Sequence, residues 1–283
     1  MVARRVKQVV RKIYLTSPEV ANLHRDIILK GDRPMAGTKK TALITGAGRN
    51  IGRACALDLA RDGYNVVING SSNRAACDAV AAEAVHLGAA ALVVMGDVGV
   101  PDDCHRIVQQ AIDGFGGVDV LINNAALRPQ KAFLEITDAE WRRVMSVDLE
   151  AAVWLSRACL NGMVERKWGR IVNFTGMNAI HGYAGRAPVS VAKHGLWGLT
   201  KALAKEFGPM GITVNAISPG PIAGDRENDD PASLHHRQET VKRVPLGRMG
   251  TPQEVSGTMR LLVSDSGAFI NGQMLQVNGG AET

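Results

Sequence analysis

Between residues 41 and 277, seven short runs rich in β-branched residues recur at intervals long enough to hold a helix. They are TALIT (41–45), NVVI (65–68), ALVVM (91–95), VDVLIN (118–123), RIVNF (170–174), ITVNAI (212–217) and MLQV (274–277). The runs are almost continuously apolar, as expected of strands covered on both faces, and the intervening stretches are alanine-rich with a helical period. Strand and helix in strict alternation imply an α/β fold: a single Rossmann-like, doubly wound, seven-stranded parallel sheet with helices on both faces. No linker, short-period repeat or low-complexity tract interrupts residues 41–283, so one domain is expected there, preceded by an arm over residues 1–40.

Charge separates the arm from the domain. The whole chain carries a formal net charge of +6. Residues 1–40 hold ten Lys or Arg against three Asp or Glu, leaving the remainder at 23 against 24. The basic residues of the domain form no stripe interleaved with aromatics, so no nucleic-acid partner is expected. Val6, Val9, Val10 and Ile13 could line one side of an amphipathic helix in the arm, read as a flexible or subunit-packing appendage. No run of eighteen apolar residues and no secretory signal pattern is present, so a soluble, cytoplasmic protein without stable membrane insertion is expected. Cys55, Cys77, Cys104 and Cys159 have neither metal-knuckle nor Cys-x-x-Cys spacing and read as buried small hydrophobes, and no metal-ligand set is expected. The polar stretch 224–240, with His235 and His236, reads as a mobile flap over a site.

The first strand runs into TGAGRNIG (45–52) and then a helix. Small residues at Gly46 and Gly52 permit a tight turn and close approach of backbone to a pyrophosphate, with the helix N-terminus supplying amide hydrogens. Five further landmarks follow in order: GDV (96–98), NNAA (123–126), PGPI (219–222), PLGRMGTPQEV (245–255) and INGQMLQVNGG (270–280). On these residues the chain resembles the short-chain dehydrogenase/reductase family, in its 3-oxoacyl-carrier-protein-reductase-like branch, over about residues 40–281. The resemblance implies a nicotinamide dinucleotide held by Gly46, Arg49, Asn50, Ile51, Gly52, Ser71, Arg74, Asp97, Val98, Asn124, Lys193, Pro219, Gly220 and Ile222, with Asp97 at the adenine. Asn50 replaces a usual glycine, a modest departure because Asn tolerates left-handed backbone. The second strand ends at Asn69 with no acid to meet the ribose hydroxyls, and Arg49 and Arg74 could receive a 2′-phosphate. NADP is therefore expected over NAD.

The catalytic set departs from the family. Counting back from Lys193, the tyrosine position holds Val189, the serine position Gly176 and the asparagine position Asp148. Only the lysine remains. Loss of a positioned general acid typically costs about 10² to 10⁴ in rate, so ordinary carbonyl reduction should be poor. Asp148 and Lys193 are expected to form an ion pair, and Tyr183, then His181, are the candidate replacement donors. Tyr183, His181, Asn178 and Ser190 all lie on the segment that normally walls the substrate pocket. In PVSVAK (188–193) the chain resembles 2,4-dienoyl-CoA reductases, which also lack the usual tyrosine.

Three readings follow: an oxidoreductase acting on a small molecule with a conjugated C=C, imine or specialised carbonyl; a non-redox lyase or hydratase on this scaffold; or a cofactor-binding regulatory subunit. Restoring Gly176→Ser with Val189→Tyr is expected to bring back generic carbonyl reductase activity. AAVWLSRACLNGMV (151–164) and PVSVAKHGLWGLTKALAKEF (188–207) are apolar around more of their circumference than one sheet face can cover, implying a homotetramer or homodimer.

Overall fold

The computed structural model describes residues 39–224 and 238–282, together with the backbone of Ile27–Ile28. The rest of the arm, and residues 225–237 of the stretch read as a flap, lie outside the described residues. Seven parallel strands form the sheet: β1 (Thr41–Ile44), β2 (Asn65–Gly70), β3 (Ala91–Met95), β4 (Val120–Asn123), β5 (Gly169–Phe174), β6 (Ile212–Pro219) and β7 (Met274–Val277). Their spatial order is β3-β2-β1-β4-β5-β6-β7. The fold is the Rossmann-like α/β architecture expected from the sequence. Ile27–Ile28 adds an antiparallel pair to Leu92 and Ala91 at the β3 edge, so this part of the arm joins the sheet.

Alternation along each strand divides the core in two. Ile44, Ile68, Val93 and Ile122 pack on one face against α1 (Asn50–Arg61), α2 (Arg74–His86) and α7 (Pro252–Val263). Leu43, Val67, Leu92 and Leu121 pack on the other against α3 (Pro101–Phe115), α5 (Ala151–Arg166) and the C-terminal part of α6 (Ala187–Phe207). Both faces are dry, which is why the strand sequences show no polar alternation. The four cysteines are buried and free, and burial pushes the thiols of Cys104 and Cys159 up to about 12. No helix among the described residues is long and apolar enough to cross a membrane.

Strand order reverses between β1 and β4, placing a crevice at their carboxyl ends. Three connections fix its walls. Asn124, just after β4, donates from Nδ2 to the carbonyls of Thr45 and Gly46 at 2.9 and 3.1 Å, tying β4 to the glycine turn. A buried amide chain then runs across the sheet: Asn123 Nδ2 donates to Asn173 Oδ1 (2.8 Å), Asn173 Nδ2 to Thr200 Oγ1 (2.9 Å), and Thr200 Oγ1 to the Leu196 carbonyl (2.8 Å). This chain locks α6 to β4 and β5 about two turns beyond Lys193.

Asn173→Ala should leave Asn123 Nδ2 without its acceptor in a dry layer. The expected loss is about 1 to 3 kcal/mol of unfolding free energy. Urea denaturation measures it.

Candidate active site

At the crevice floor, Lys193 projects from the second turn of α6 and is buried. Its Nζ donates to the Phe174 carbonyl at 3.0 Å and lies 3.3 Å from Asp148 Oδ2, forming the expected ion pair. Asp148 Oδ1 accepts from the Leu127 amide at 2.7 Å. Burial lowers the Lys193 pKa from its ordinary value; Asp148 opposes that shift, while the like charge of Arg128 adds to it. Asp148 reaches this position because a π-helical turn, Ser146–Glu150, interrupts the passage from α4 (Asp138–Met145) to α5. Such widened turns recur at functional sites because they re-aim a side chain within an otherwise regular helix. Asp148, Lys193, Asn123 and Thr45 help line a cavity of about 10 Å³. Asp148 Oδ2 and Asn123 Oδ1 accept no protein hydrogen bond there.

The nucleotide-side residues lie around the glycine turn. Gly46 takes a left-handed φ of +62° against Ala125, and Asn50 takes φ +48°, the conformation its residue type tolerates. A Cβ at Gly52 would overlap the Gly46 carbonyl and lie 2.6 Å from Asn124 Nδ2, so only glycine lets this helix start against the turn. Ile51 is buried behind it. Arg49, at the N-cap of α1, is exposed and has no side-chain partner among the described residues.

Arg74 is less free: its Nε lies 3.5 Å from Asp78 on the same helix. Ser71 is exposed beside it. The Asn69 amide donates to the carbonyls of Val94 and Gly96, serving the sheet. A Cβ at Gly70 would lie 2.6 Å from Cys77 Sγ, so an acidic residue cannot replace this glycine without displacing α2.

Asp97 is engaged by protein: its carboxylate holds Arg143 at 2.7 Å and accepts from the Gly99 amide at 2.9 Å. Val98 is buried beneath it. Across the crevice, Gly220 donates to the Val277 carbonyl at 2.9 Å, directly after Pro219, and Ile222 bridges to Gly250.

The candidate donors are held elsewhere. Tyr183 Oη donates to Glu282 Oε1 at 3.0 Å, and His181 Nε2 lies 2.6 Å from Glu282 Oε2. Desolvation, then the Glu282 hydrogen bond, raises the Tyr183 pKa. Among the described residues no hydrogen bond or ion pair joins either group to Lys193. Ser190 Oγ donates to Asn178 Oδ1 at 3.3 Å on the same wall.

Val189 is buried. Gly176 adopts φ 78° and ψ 174°, a region essentially confined to glycine, although a Cβ would meet only the Pro219 carbonyl at 3.9 Å. Space for a serine exists, but the backbone excludes it. The double restoration suggested by sequence alone therefore meets a strained turn that sequence does not display.

Sequence reasoning missed Arg128, in the loop after β4. It retains exposed surface, yet protein crowds its guanidinium enough that desolvation lowers its pKa. The available signal was the composition of that loop: residues 124–134 contain Arg128 and Lys131 and no acid.

Against known proteins, residues 46–282 match the family model described as Enoyl-(Acyl carrier protein) reductase. A 3-oxoacyl-[acyl-carrier-protein] reductase of Synechocystis sp. is 38% identical over 244 residues, covering 86% of this chain and 97% of that protein. Its counterpart in Aquifex aeolicus is 36% identical over 244 residues, covering 85% and 96%. The crystal structure of an acetoin dehydrogenase from Salmonella typhimurium superposes with a TM-score of 0.79 at 30% identity, covering 86% of this chain and 96% of that one. The fold and crevice define a dinucleotide-type α/β oxidoreductase scaffold. The chain belongs to the short-chain dehydrogenase/reductase family, in its 3-oxoacyl-carrier-protein-reductase-like branch.

Gly176→Ser should cost about 1 to 3 kcal/mol of stability through the turn alone, with the loss read by urea denaturation. Glu282→Gln should lower the Tyr183 pKa toward its ordinary value, visible as an earlier tyrosinate absorbance rise in an alkaline titration. In the unaltered protein the fold retains a proton that the unfolded chain releases, so the Tyr183 contribution to stability falls as pH climbs through the ordinary tyrosine range.

Proposed function

We propose that this protein is an NADP-dependent oxidoreductase of small molecules whose active site works without the hydroxyl groups customary at positions 176 and 189. The observation carrying this reading is the placement of Lys193. It is fixed by Phe174 and Asp148 at the floor of the switch-point crevice, beneath a glycine turn whose close packing is intact. A buried ammonium held by a carboxylate is a costly feature to keep unless something uses it.

The residues fit a nicotinamide dinucleotide. The glycine turn and the N-terminus of α1 would take the pyrophosphate, with Pro219, Gly220 and Ile222 on the opposite wall. Arg49, exposed and without a side-chain partner among the described residues, would take a 2′-phosphate, assisted by Arg74; the close approach of Cys77 to any Cβ placed at Gly70 disfavours the acid that would select NAD. Asp97 would have to share its carboxylate between adenine and Arg143. A bound nicotinamide would supply or accept the hydride. Lys193 would bond the adjoining ribose.

We assign the proton donor to Tyr183, with His181 as the alternative. Both stand on the loop between β5 and α6, and their shared carboxylate, Glu282, could relay a proton from the surface. Without a hydroxyl near Lys193 to stabilise a full alkoxide, a conjugated C=C, an imine or a specialised carbonyl is the preferred target. Self-association as a dimer or tetramer in the cytoplasm belongs to the same reading. Trp141 and Trp154 line an open groove of about 780 Å³ along α4 and α5 that a second subunit could fill.

Fluorescence titration with NADPH and NADH tests the cofactor assignment. NADPH should bind the tighter, and Arg49→Gln should weaken NADPH by about tenfold, roughly one charge-assisted hydrogen bond, while leaving NADH unchanged. No binding of either nucleotide would favour a non-redox enzyme on this scaffold. Tight binding without turnover on a panel of enoyl, imine and carbonyl compounds would favour a regulatory subunit.

A further inference from the structure

The two loops that wall the crevice beside Lys193 are unusual in charge. Residues 124–134 and 176–190 together contain Arg128, Lys131, His181 and Arg186, and no acidic residue at all. The loops are stitched to each other: the Lys131 amide donates to the Gly185 carbonyl at 2.9 Å, one residue before Arg186. Leu127, one residue before Arg128, donates its amide to Asp148.

The two loops thereby set Arg128 and Arg186 close to one another, Arg128 beside the amide that Asp148 accepts and Arg186 beside the carbonyl that the Lys131 amide meets. Lys131 is paired with Glu140 at 2.8 Å, and His181 Nε2 lies 2.6 Å from Glu282 Oε2. Arg128 and Arg186 are not paired in this way: neither guanidinium has a carboxylate within 4 Å, or a side-chain hydrogen bond, among the described residues. Asp148, whose Oδ1 takes the Leu127 amide next to Arg128, is already held by Lys193 at 3.3 Å.

Like charges on adjoining loops repel one another, and an anion bound between them relieves that repulsion. Two planar forks offering several N–H donors suit an oxyanion with more than one acceptor.

We propose that Arg128 and Arg186 form a substrate-anchoring site for a small molecule bearing an oxyanion, a carboxylate or a phosphate, which holds that group at the crevice mouth while the reacting carbon lies toward Lys193. This rests on the oxidoreductase reading for its reaction, but not for its binding. Anchoring by a remote charged group is the kind of interaction that positions a substrate where the reacting centre has lost its own hydrogen-bond donors.

The test is calorimetric titration of the full chain, both NADPH-saturated and nucleotide-free, with levulinate, methyl levulinate and dihydroxyacetone phosphate. Wild type is compared with Arg128→Gln, Arg186→Gln and, as a control on a remote surface ion pair, Arg61→Gln. Wild type should bind at least one of the oxyanions about tenfold tighter than the neutral ester, and the more strongly held oxyanion identifies the group recognised. Arg128→Gln and Arg186→Gln should each remove about tenfold of that preference without changing NADPH affinity, and Arg61→Gln should leave it intact.

Equal binding of ester and oxyanions, or a preference that survives both crevice variants, would overturn the proposal. Failure of the wild type to bind NADPH, with the arginine-dependent preference still present, would remove the nucleotide reading alone.

Discussion

The buried pair of Lys193 and Asp148 sets the terms for the rest of the crevice. Neither charge could stay ionised alone at that depth, since desolvating an isolated ion costs several kcal/mol. Their separation of 3.3 Å is modest for a salt bridge, and the pair relies on further support: the Phe174 carbonyl for the ammonium and the Leu127 amide for the carboxylate. Those supports come from β5 and the loop after β4, and the two charges themselves come from α6 and the π-helical turn. Four separate segments must therefore be in register before the pair is stable. The pair selects one arrangement of the crevice as much as it contributes to stability.

The same dependence explains the amide chain behind it. Asn123, Asn173 and Thr200 make a line of buried hydrogen bonds across β4, β5 and α6, and a partly satisfied line would be worse than an apolar layer. Its effect is to fix the axial position of α6, and through it the height of Lys193 above the sheet. The glycine turn is fixed from the other side by Asn124. Lysine and turn are thus held through adjacent residues of one strand end, which couples the crevice floor to the glycine-turn wall.

Most of the architecture was legible because it rests on patterns with a fixed period. The strand runs at 91–95 and 274–277 match the observed bounds, and the others differ by one or two residues. The run at 65–68 stopped short of Gly70 because Asn and Gly are poor strand formers; the Asn69 amide is satisfied by the neighbouring strand, a long-range compensation no local rule contains. The Lys193–Asp148 ion pair was also legible, since two landmark positions carried opposite charges.

Two features of the site were not legible. SVDLE has nothing to mark it as a π-helical turn, because the widening is imposed by what packs against α4 and α5. Gly176 reads as a serine trimmed of its side chain, whereas its backbone lies in a region where no serine fits comfortably. Residue identity reports which groups are absent; it does not report the backbone conformation at those positions.

A serine and a tyrosine act on an uncharged oxygen through short, directional hydrogen bonds made at the reacting centre. In this chain those positions hold a glycine with a glycine-only backbone and a buried valine, and two guanidiniums on the adjoining loops have no side-chain partner among the described residues. Guanidiniums exert longer-ranged, less directional forces and favour a partner carrying its own charge. Selectivity would then come from grasping the far end of the substrate, with the reacting carbon placed by the length of the molecule in between. Such an arrangement tolerates a featureless wall at positions 176 and 189, because orientation no longer depends on contacts there. The loss of the hydroxyls and the acid-free loops are, on this view, two parts of one change in how a substrate is held.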